Sequence, residues 1–421
     1  MTTAWPTTTL GELFDIGAGK SVTPAARHGA PRYPFLRTAN VFWGRVDLRE
    51  VDSMHFTDEE IASKSLRKGD LLVCEGGDIG RSAIWNGQIT DCSFQNHIHR
   101  LRLKTDEAVP RFYMYYLQAG FTLLGIYEGA GNKTTIPNLS RSRLAALHVP
   151  KPQQSEQENI AAVLWKIQRA IETEETLIAM ARELKRSTMR QLFTHGLRGE
   201  AQREVEIGPL PESWKAVPLG SFGRIGNGST PLKRNTEYWT NGTIPWLTSA
   251  KVYDVTITKA DQFVTPRAVQ ECHLPRVSPG SVLVAITGQG KTLGHAAVTA
   301  IETCVSQHIA YIQFNHESIN PHFIRLFLES RYEELRAVAQ GGGSTKGALT
   351  CAFFKTYLVP LPERQEQDDI AKALMTIEAK IQVHERKCTT LQELFKTMLY
   401  RLMTGEIRVA HLDIDVSEIQ S

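Results

Sequence analysis

The sequence predicts an α+β chain built twice: two strand-rich α/β domains alternate with two long helices, which pair antiparallel as a coiled coil about a pseudo-two-fold axis. Three observations carry this. A repeat at an offset close to 210 residues runs through the chain. Each copy ends in a long stretch whose apolar residues recur at alternating 4–3 spacing. The segments between are short β-branched runs broken by Gly, Pro and Asn, the pattern of a strand-rich domain.

The first helix lies between Pro150 and Arg198, with a seam of Ile160, Leu164, Ile167, Ile171, Glu174 and Ile178. That spacing averages about 3.5 residues, so one narrow stripe runs along the helix. Pro150 and Pro152 bound its start, and Gly196 and Gly199 its end. About 40 residues at ~1.5 Å each make a rod of roughly 60 Å. A helix with one apolar stripe needs a partner. Residues 359–408 supply it without a gap: Pro152/Pro362, Glu156/Glu366, Gln157/Gln367 and Leu164/Leu374 all correspond at offset 210. The second seam reads Ile370, Leu374, Ile377, Ile381, His384, Leu391 and Phe395. Like helices that each carry a domain at their start pair antiparallel, with the domains expected at opposite ends. Glu174 and His384 fall at the midpoints and are expected to meet as a hydrogen-bonded pair that fixes register.

The duplication divides the chain into domain 1–150, helical region 151–208, domain 209–358 and helical region 359–421. Both domains open on Trp-x-x-x-x-Leu-Gly, at Trp5 and Trp214. Ile16-Gly17-Ala-Gly19 answers Ile225-Gly226-Asn-Gly228. Strands are expected at 71–75, 82–85, 282–287 and 296–301, and shorter helices at 111–124 and 321–339. Gly-rich loops follow, beginning at Gly129 and Gly341, and residues 199–214 read as a linker.

Apolar content of 42% and charged content of 22% describe an ordinary globular chain. No run of about 18 apolar residues and no signal pattern occur, so a cytoplasmic location is expected. Cys74, Cys92, Cys272, Cys304, Cys351 and Cys388 form no CxxC pair and suit free thiols; no metal site is expected. Residues 1–150 hold 17 Lys+Arg against 15 Asp+Glu, and residues 209–358 hold 14 against 10. The helical regions hold 9 against 9 and 8 against 11. Positive charge therefore collects on the domains, which permits nucleic acid there without a strongly basic footprint.

One stretch imitates a phosphate loop: Ala285-Ile-Thr-Gly-Gln-Gly290-Lys291-Thr292. A phosphate loop opens a helix, whereas Leu293 to Thr299 reads as strand. Lys291 and Arg81, its counterpart by alignment, read instead as loop-tip cations facing phosphate or base. A methyltransferase needs an Asn/Asp-Pro-Pro-aromatic loop, and the chain has no Pro-Pro. The acidic and lysine pair Glu378/Lys380 lies mid-helix rather than in a nuclease-like strand. No catalytic residues are expected. Two alternatives stay open: an assembly scaffold without DNA contact, and the recognition part of a single-chain restriction/methyltransferase enzyme.

The Trp openings, the Pro-x-Pro-x-x-x-Glu-Gln-x-x-Ile helix starts at Pro150 and Pro360, the Gly-rich loops and the segment order together resemble the specificity subunit of type I restriction–modification systems. The resemblance covers essentially the whole chain. It implies two target recognition domains, each reading one half of a bipartite, asymmetric sequence on double-stranded DNA. It further implies helices that set the spacing and dock two methyltransferase subunits, with restriction subunits joining that core. No cofactor is implied in this chain; S-adenosylmethionine belongs to the methyltransferase. Direct readout needs Arg, Lys, Asn or Gln in loops with Ser, Thr and Lys around them. The candidates in the first domain are Lys20, Ser21, Arg27, Arg32, Arg37, Asn40, Arg81, Asn96, Lys133 and Thr134. Those in the second are Asn227, Ser229, Lys233, Arg234, Lys251, Gln289, Lys291, Gln307 and Lys346.

Overall fold

The computed structural model describes residues 5–125, 139–288, 291–341 and 348–420. They form two compact units, Met1–Glu175 with Arg386–Ser421, and Thr176–Glu385. Each unit therefore holds one strand-rich domain, the first half of the long helix that follows it, and the second half of the other long helix. Unit 1 contains β1 (Phe14–Ala18), β2 (Leu71–Cys74), β3 (Ser82–Ile84), β4 (Ile98–Leu103), α1 (Pro110–Thr122) and the start of α2 (Gln154–His195). Unit 2 contains β5 (Gly223–Asn227), β6 (Thr256–Ile257), β7 (Val282–Ala285), β8 (Ala296–Thr299), β9 (Ile309–Phe314), α3 (Pro321–Ser330), α4 (Tyr332–Gly341) and the start of α5 (Arg364–Met403).

The two sheets share one topology. Unit 1 orders its strands β1-β4-β2-β3; unit 2 orders them β5-β9-β7-β8 and adds β6 at the edge. The registers agree: Leu71 faces Ile84 as Val282 faces Val298, and Gly17 faces Arg100 as Gly226 faces Tyr311. The Gly-x-Gly openings have a steric reason. A Cβ on Gly228 would lie 1.6 Å from the Val305 carbonyl oxygen, and one on Gly19 2.3 Å from the Phe94 carbonyl oxygen. Only glycine lets the chain leave the strand so close to that backbone.

The helix seam is antiparallel within each unit. In unit 1 Glu156 meets Arg408, and Glu174 meets Lys387 at 2.6 Å. In unit 2 Arg182 meets Glu385 at 2.5 Å and Lys185 meets Glu378 at 2.7 Å. Partners thus descend along α5 as α2 ascends. Ile160, Leu164, Ile178, Ile370, Leu374 and Ile381 are buried, and Ile167, Ile171, Leu391 and Phe395 half-buried. Glu174 is buried; His384, half-buried, lies in the other unit. The helix ends do more than pair. Ile160 and Leu164 share a core with Phe112, Tyr113, Leu399 and Leu402, while Ile370 and Leu374 share one with Phe193, Phe323 and Phe327.

The Glu-Gln pair at each helix start fastens helix to domain. Gln157 accepts from the Val109 N–H at 2.9 Å and donates to the Glu107 and Pro152 carbonyls. Gln367 repeats this on the Asn320 N–H and the Ser318 and Pro362 carbonyls. Glu156 accepts from the Trp5 indole at 3.1 Å and from Arg408, whose guanidinium also covers the Trp5 ring. Glu366 accepts from the Trp214 indole at 3.3 Å and the Leu197 N–H at 2.9 Å.

Three expectations need correction. Residues 202–211 form a hairpin, Gln202–Val205 with Gly208–Pro211, rather than a linker. Gly208 turns it with φ +97°, and Leu210 anchors it in the unit 2 core. The single helix expected over 321–339 is two, because Arg331 leaves the helical path and sends its guanidinium to the Ile207 carbonyl at 2.8 Å. Lys291 precedes a turn and β8 rather than a helix, so no helix N-terminus stands there to hold phosphate.

Unit 2 buries a charge network with no equivalent at the same positions of unit 1. Arg325, 1% exposed, donates to Glu378 at 2.7 Å and Glu329 at 3.0 Å, and Lys185 closes it. The corresponding site in unit 1 holds Met114, Gln168 and Phe395, with the Tyr115 hydroxyl donating to Gln168 at 2.9 Å. Removing one partner of a buried pair strands the other charge. Arg325→Met is expected to destabilise unit 2 by about 3 kcal/mol, with Arg325→Met/Glu378→Gln recovering part of it, read from chemical denaturation. Burial alone would raise the carboxyl pKa of Glu378 and of Glu156. Arg325 and Lys185 hold the first below its ordinary value, and Arg408 and Trp5 hold the second. A depressed folded pKa stabilises above the unfolded value and is lost as pH falls through the folded one. Melting temperature is therefore expected to fall on acidification below about pH 4.5, less steeply in Glu378→Gln.

Candidate nucleic-acid interface

Beside the main sheet of unit 1 lies a three-stranded one. Arg32–Leu36 pairs antiparallel with Asp52–His55 and parallel with Ser93–Phe94. Its edge lines a concavity of about 740 Å³ that gathers Arg27, His28, Arg32, Arg37 and Gln95. Arg32 is held by the Arg27 and Ser53 carbonyls at 2.9 and 2.6 Å, and Arg37 lies 3.1 Å from Asp52. Arg27 and His28 are exposed at the rim. Three expected contact residues thus meet on one surface whose shape and cationic side chains suit a phosphate or a base edge.

Several other candidates have structural duties. Asn40 is 4% exposed; its amide donates to the Asp47 and Glu50 carbonyls at 2.9 and 2.7 Å and accepts from the Arg37 N–H at 2.8 Å. These bonds fold the turn and use both amide hydrogens inside the protein; with the side chain buried, this corrects its assignment as a reader. Lys20 pairs with Glu60 and lies over the Phe56 ring, Ser21 is exposed, and Asn96 is half-buried with its N–H on the Lys20 carbonyl. Lys133, Thr134, Gln289 and Lys346 lie outside the described residues.

Unit 2 repeats the small sheet with Ile244–Leu247, Gln262–Val264 and Cys304–Val305. Different chemistry covers it. Lys233 lies over the Trp239 ring at 5.7 Å, and that ring meets Trp246 edge-on at 5.2 Å. Asn227 and Arg234 are exposed. Gln307 bonds Thr230 and His308, and Ser229 donates to the Cys272 carbonyl at 3.2 Å. Lys251 is neutralised by Asp254 and Asp261 at 2.7 and 3.2 Å, so its charge is internal to the loop.

The turn between the central strands carries Arg81 in unit 1, stacked over Phe42 at 5.3 Å, donating to the Thr38 carbonyl at 3.0 Å and paired with Asp78 at 3.4 Å. In unit 2 the same place is taken by His295, between the rings of Tyr253 and Tyr332. Lys291, matched to Arg81 by sequence, sits in the part of this loop that is three residues longer, exposed, with its carbonyl accepting from the Tyr332 hydroxyl at 2.6 Å.

Residues 3–182 and 211–393 match the model of the type I restriction modification DNA specificity domain. The chain belongs to that family. DNA recognition within type I systems is the family's function. The putative type I restriction enzyme MjaX specificity subunit of Methanocaldococcus jannaschii is 24% identical over 385 residues, 90% of this chain and 88% of its own. The EcoR124I/EcoR124II specificity subunit of Escherichia coli is 26% identical over 252 residues, covering 59% and 58%. The S subunit structure of the type I system from M. genitalium superposes with TM-score 0.61 at 18% identity, covering 95% of this chain and 96% of that one, and so shares the fold.

Within this specificity fold the sequence did not point to His28, His295, Tyr253 or Tyr332. The turn glycines Gly80 and Gly294, aligned in place of the lysine, would have revealed the last three. Asn40→Ala is expected to lower unit 1 stability by about 1–3 kcal/mol in a thermal melt. Arg27→Ala is expected to leave stability within about 0.5 kcal/mol and to weaken binding to every duplex, reducing the salt slope by roughly 1 in fluorescence anisotropy.

Proposed function

We propose that this chain is the non-catalytic specificity subunit of a type I restriction–modification complex, working in the cytoplasm. Each domain reads one half of a bipartite, asymmetric sequence on double-stranded DNA. The long paired helices set the spacing and dock two methyltransferase subunits, which carry S-adenosylmethionine; restriction subunits join that core. The observation that carries this reading is one scaffold folded twice with unlike residues on the corresponding surfaces. Arg27, Arg32 and Arg37 line the small sheet in unit 1, while Lys233 over Trp239 flanks it in unit 2. Identical scaffolds with different surface donors suit a target with two unlike halves. Among the described residues no helix is long and apolar enough to cross a membrane.

Sequencing of methylated bases in the source cell is expected to give one bipartite motif. Replacing residues 1–150 by another family member's first domain is expected to change one half alone. Loss of all DNA binding by the complex, in a mobility shift run with and without the methyltransferase partner, would favour the scaffold alternative. A motif whose halves both survive the exchange would sink the assignment of readers.

A further inference from the structure

The turn that joins β2 to β3 and the one that joins β7 to β8 are the same device. The Gly80 N–H donates to the Cys74 carbonyl at 3.0 Å, and the Gly294 N–H to the Ala285 carbonyl at 2.9 Å. Both glycines have positive φ, +80° and +90°. Each lies against a ring from the helical segment above: Phe121 beside Gly80 and Tyr332 beside Gly294. The next residue is planar and nitrogen-bearing in both units, Arg81 or His295, and each stacks on a second ring, Phe42 or Tyr253. The loop in unit 2 is longer by three residues, which hides this correspondence in the sequence.

The unit 2 version is the more open. His295 stands 4.9 Å from the Tyr253 ring and 4.6 Å from the Tyr332 ring, tilted by 51° and 44°. Tyr253 is 50% exposed, yet its hydroxyl is fixed on Thr292 at 3.1 Å. Tyr332 is fixed by the Lys291 carbonyl and by Arg336, which donates to its hydroxyl at 3.1 Å. Two rings pinned by their hydroxyls hold the imidazole plane between them. Packing alone would be met by Phe or Leu at this half-buried position and would not select a nitrogen heterocycle. Burial pushes the pKa of His295 down, with Glu329 opposing and Arg336 and Lys185 assisting, so the ring is neutral near pH 7. A neutral imidazole has one N–H donor and one acceptor, whereas a guanidinium only donates.

We infer that His295 is a specificity-determining residue of the second reading domain, taking the exocyclic amino group of an adenine or cytosine in the major groove from the position that Arg81 holds in the first. The inference rests on the DNA-reading role proposed above. A donor-only side chain suits the acceptor pair of guanine, while an acceptor suits the amino group of adenine or cytosine.

The test uses the full chain in its complex: His295→Phe and His295→Arg are introduced at the chromosomal locus and methylated bases are sequenced. His295→Phe keeps a ring in the stack, and the purified protein is expected to unfold at the parental temperature. Discrimination at one base of one half-site is expected to fall about five- to hundredfold, with the other half unchanged. His295→Arg is expected to move preference at that base toward guanine. If both variants leave the motif unaltered, the inference is overturned while the reading of the domains stands. If the parental strain yields no bipartite methylated motif, that reading itself fails. Should His295→Phe unfold early, His295→Arg decides, since unit 1 accommodates arginine on the same turn.

Discussion

A carboxylate is buried at the first turn of each long helix, Glu156 at 2% and Glu366 at 4% exposure, and the rest of the architecture follows from keeping it partnered. A buried carboxylate left alone costs several kcal/mol, so its donors must arrive from elsewhere. In unit 1 they are Trp5, from the domain's opening, and Arg408, from beyond the end of α5. In unit 2 they are Trp214 and the backbone of Leu197, just beyond the end of α2. Each clasp therefore fixes three chain segments at once: domain, helix start and the end of the opposite helix. The adjoining Gln157 and Gln367, fully buried, do the same for the loops that lead into α1 and α3.

Much of this was legible in the sequence because the duplication supplied an internal comparison. Trp5 with Trp214 and Glu156 with Glu366 recur at nearly one offset, and the 4–3 ladder marks both helices whatever their surroundings. A period reveals which face of a helix is covered but not by what. The seam residues Ile160 and Leu164, expected against the other helix, therefore also turned out to pack on Phe112 and Tyr113. Asn40 was misread because a polar residue in a loop has the same letter whether it folds the turn or faces outward. His295 was missed because three additional residues shift the register exactly where the two loops diverge most. The hairpin at 202–211 looked like a linker because its apolar anchors, Val205, Ile207 and Leu210, are few and spaced among charges.

The two domains keep their scaffold constant where backbone meets backbone and vary it where side chains reach outward. Gly19 and Gly228 cannot change without displacing a carbonyl, and the strand registers agree pair for pair. Arg81 and His295 differ in chemistry and ring partner on the same turn, and Arg37 and Lys251 differ in their acidic partners on neighbouring loops. This separation lets surface chemistry drift without refolding the sheet.

The charge network of unit 2 sets the mixed pairing of the two long helices apart from a pairing of like with like. Glu378 on α5 pairs with Lys185 from α2 as well as with Arg325 of its own half, whereas Gln168 on α2 accepts from Tyr115 beside Phe395 of α5. A homodimer of second-half fragments would set Glu378 against Phe395 in place of Lys185, keeping Arg325 as its cation. A homodimer of first-half fragments would offer Lys185 no acid at that position. Self-association of either fragment would forgo the Lys185–Glu378 pair that the mixed arrangement makes, so at this contact the halves complement each other rather than themselves.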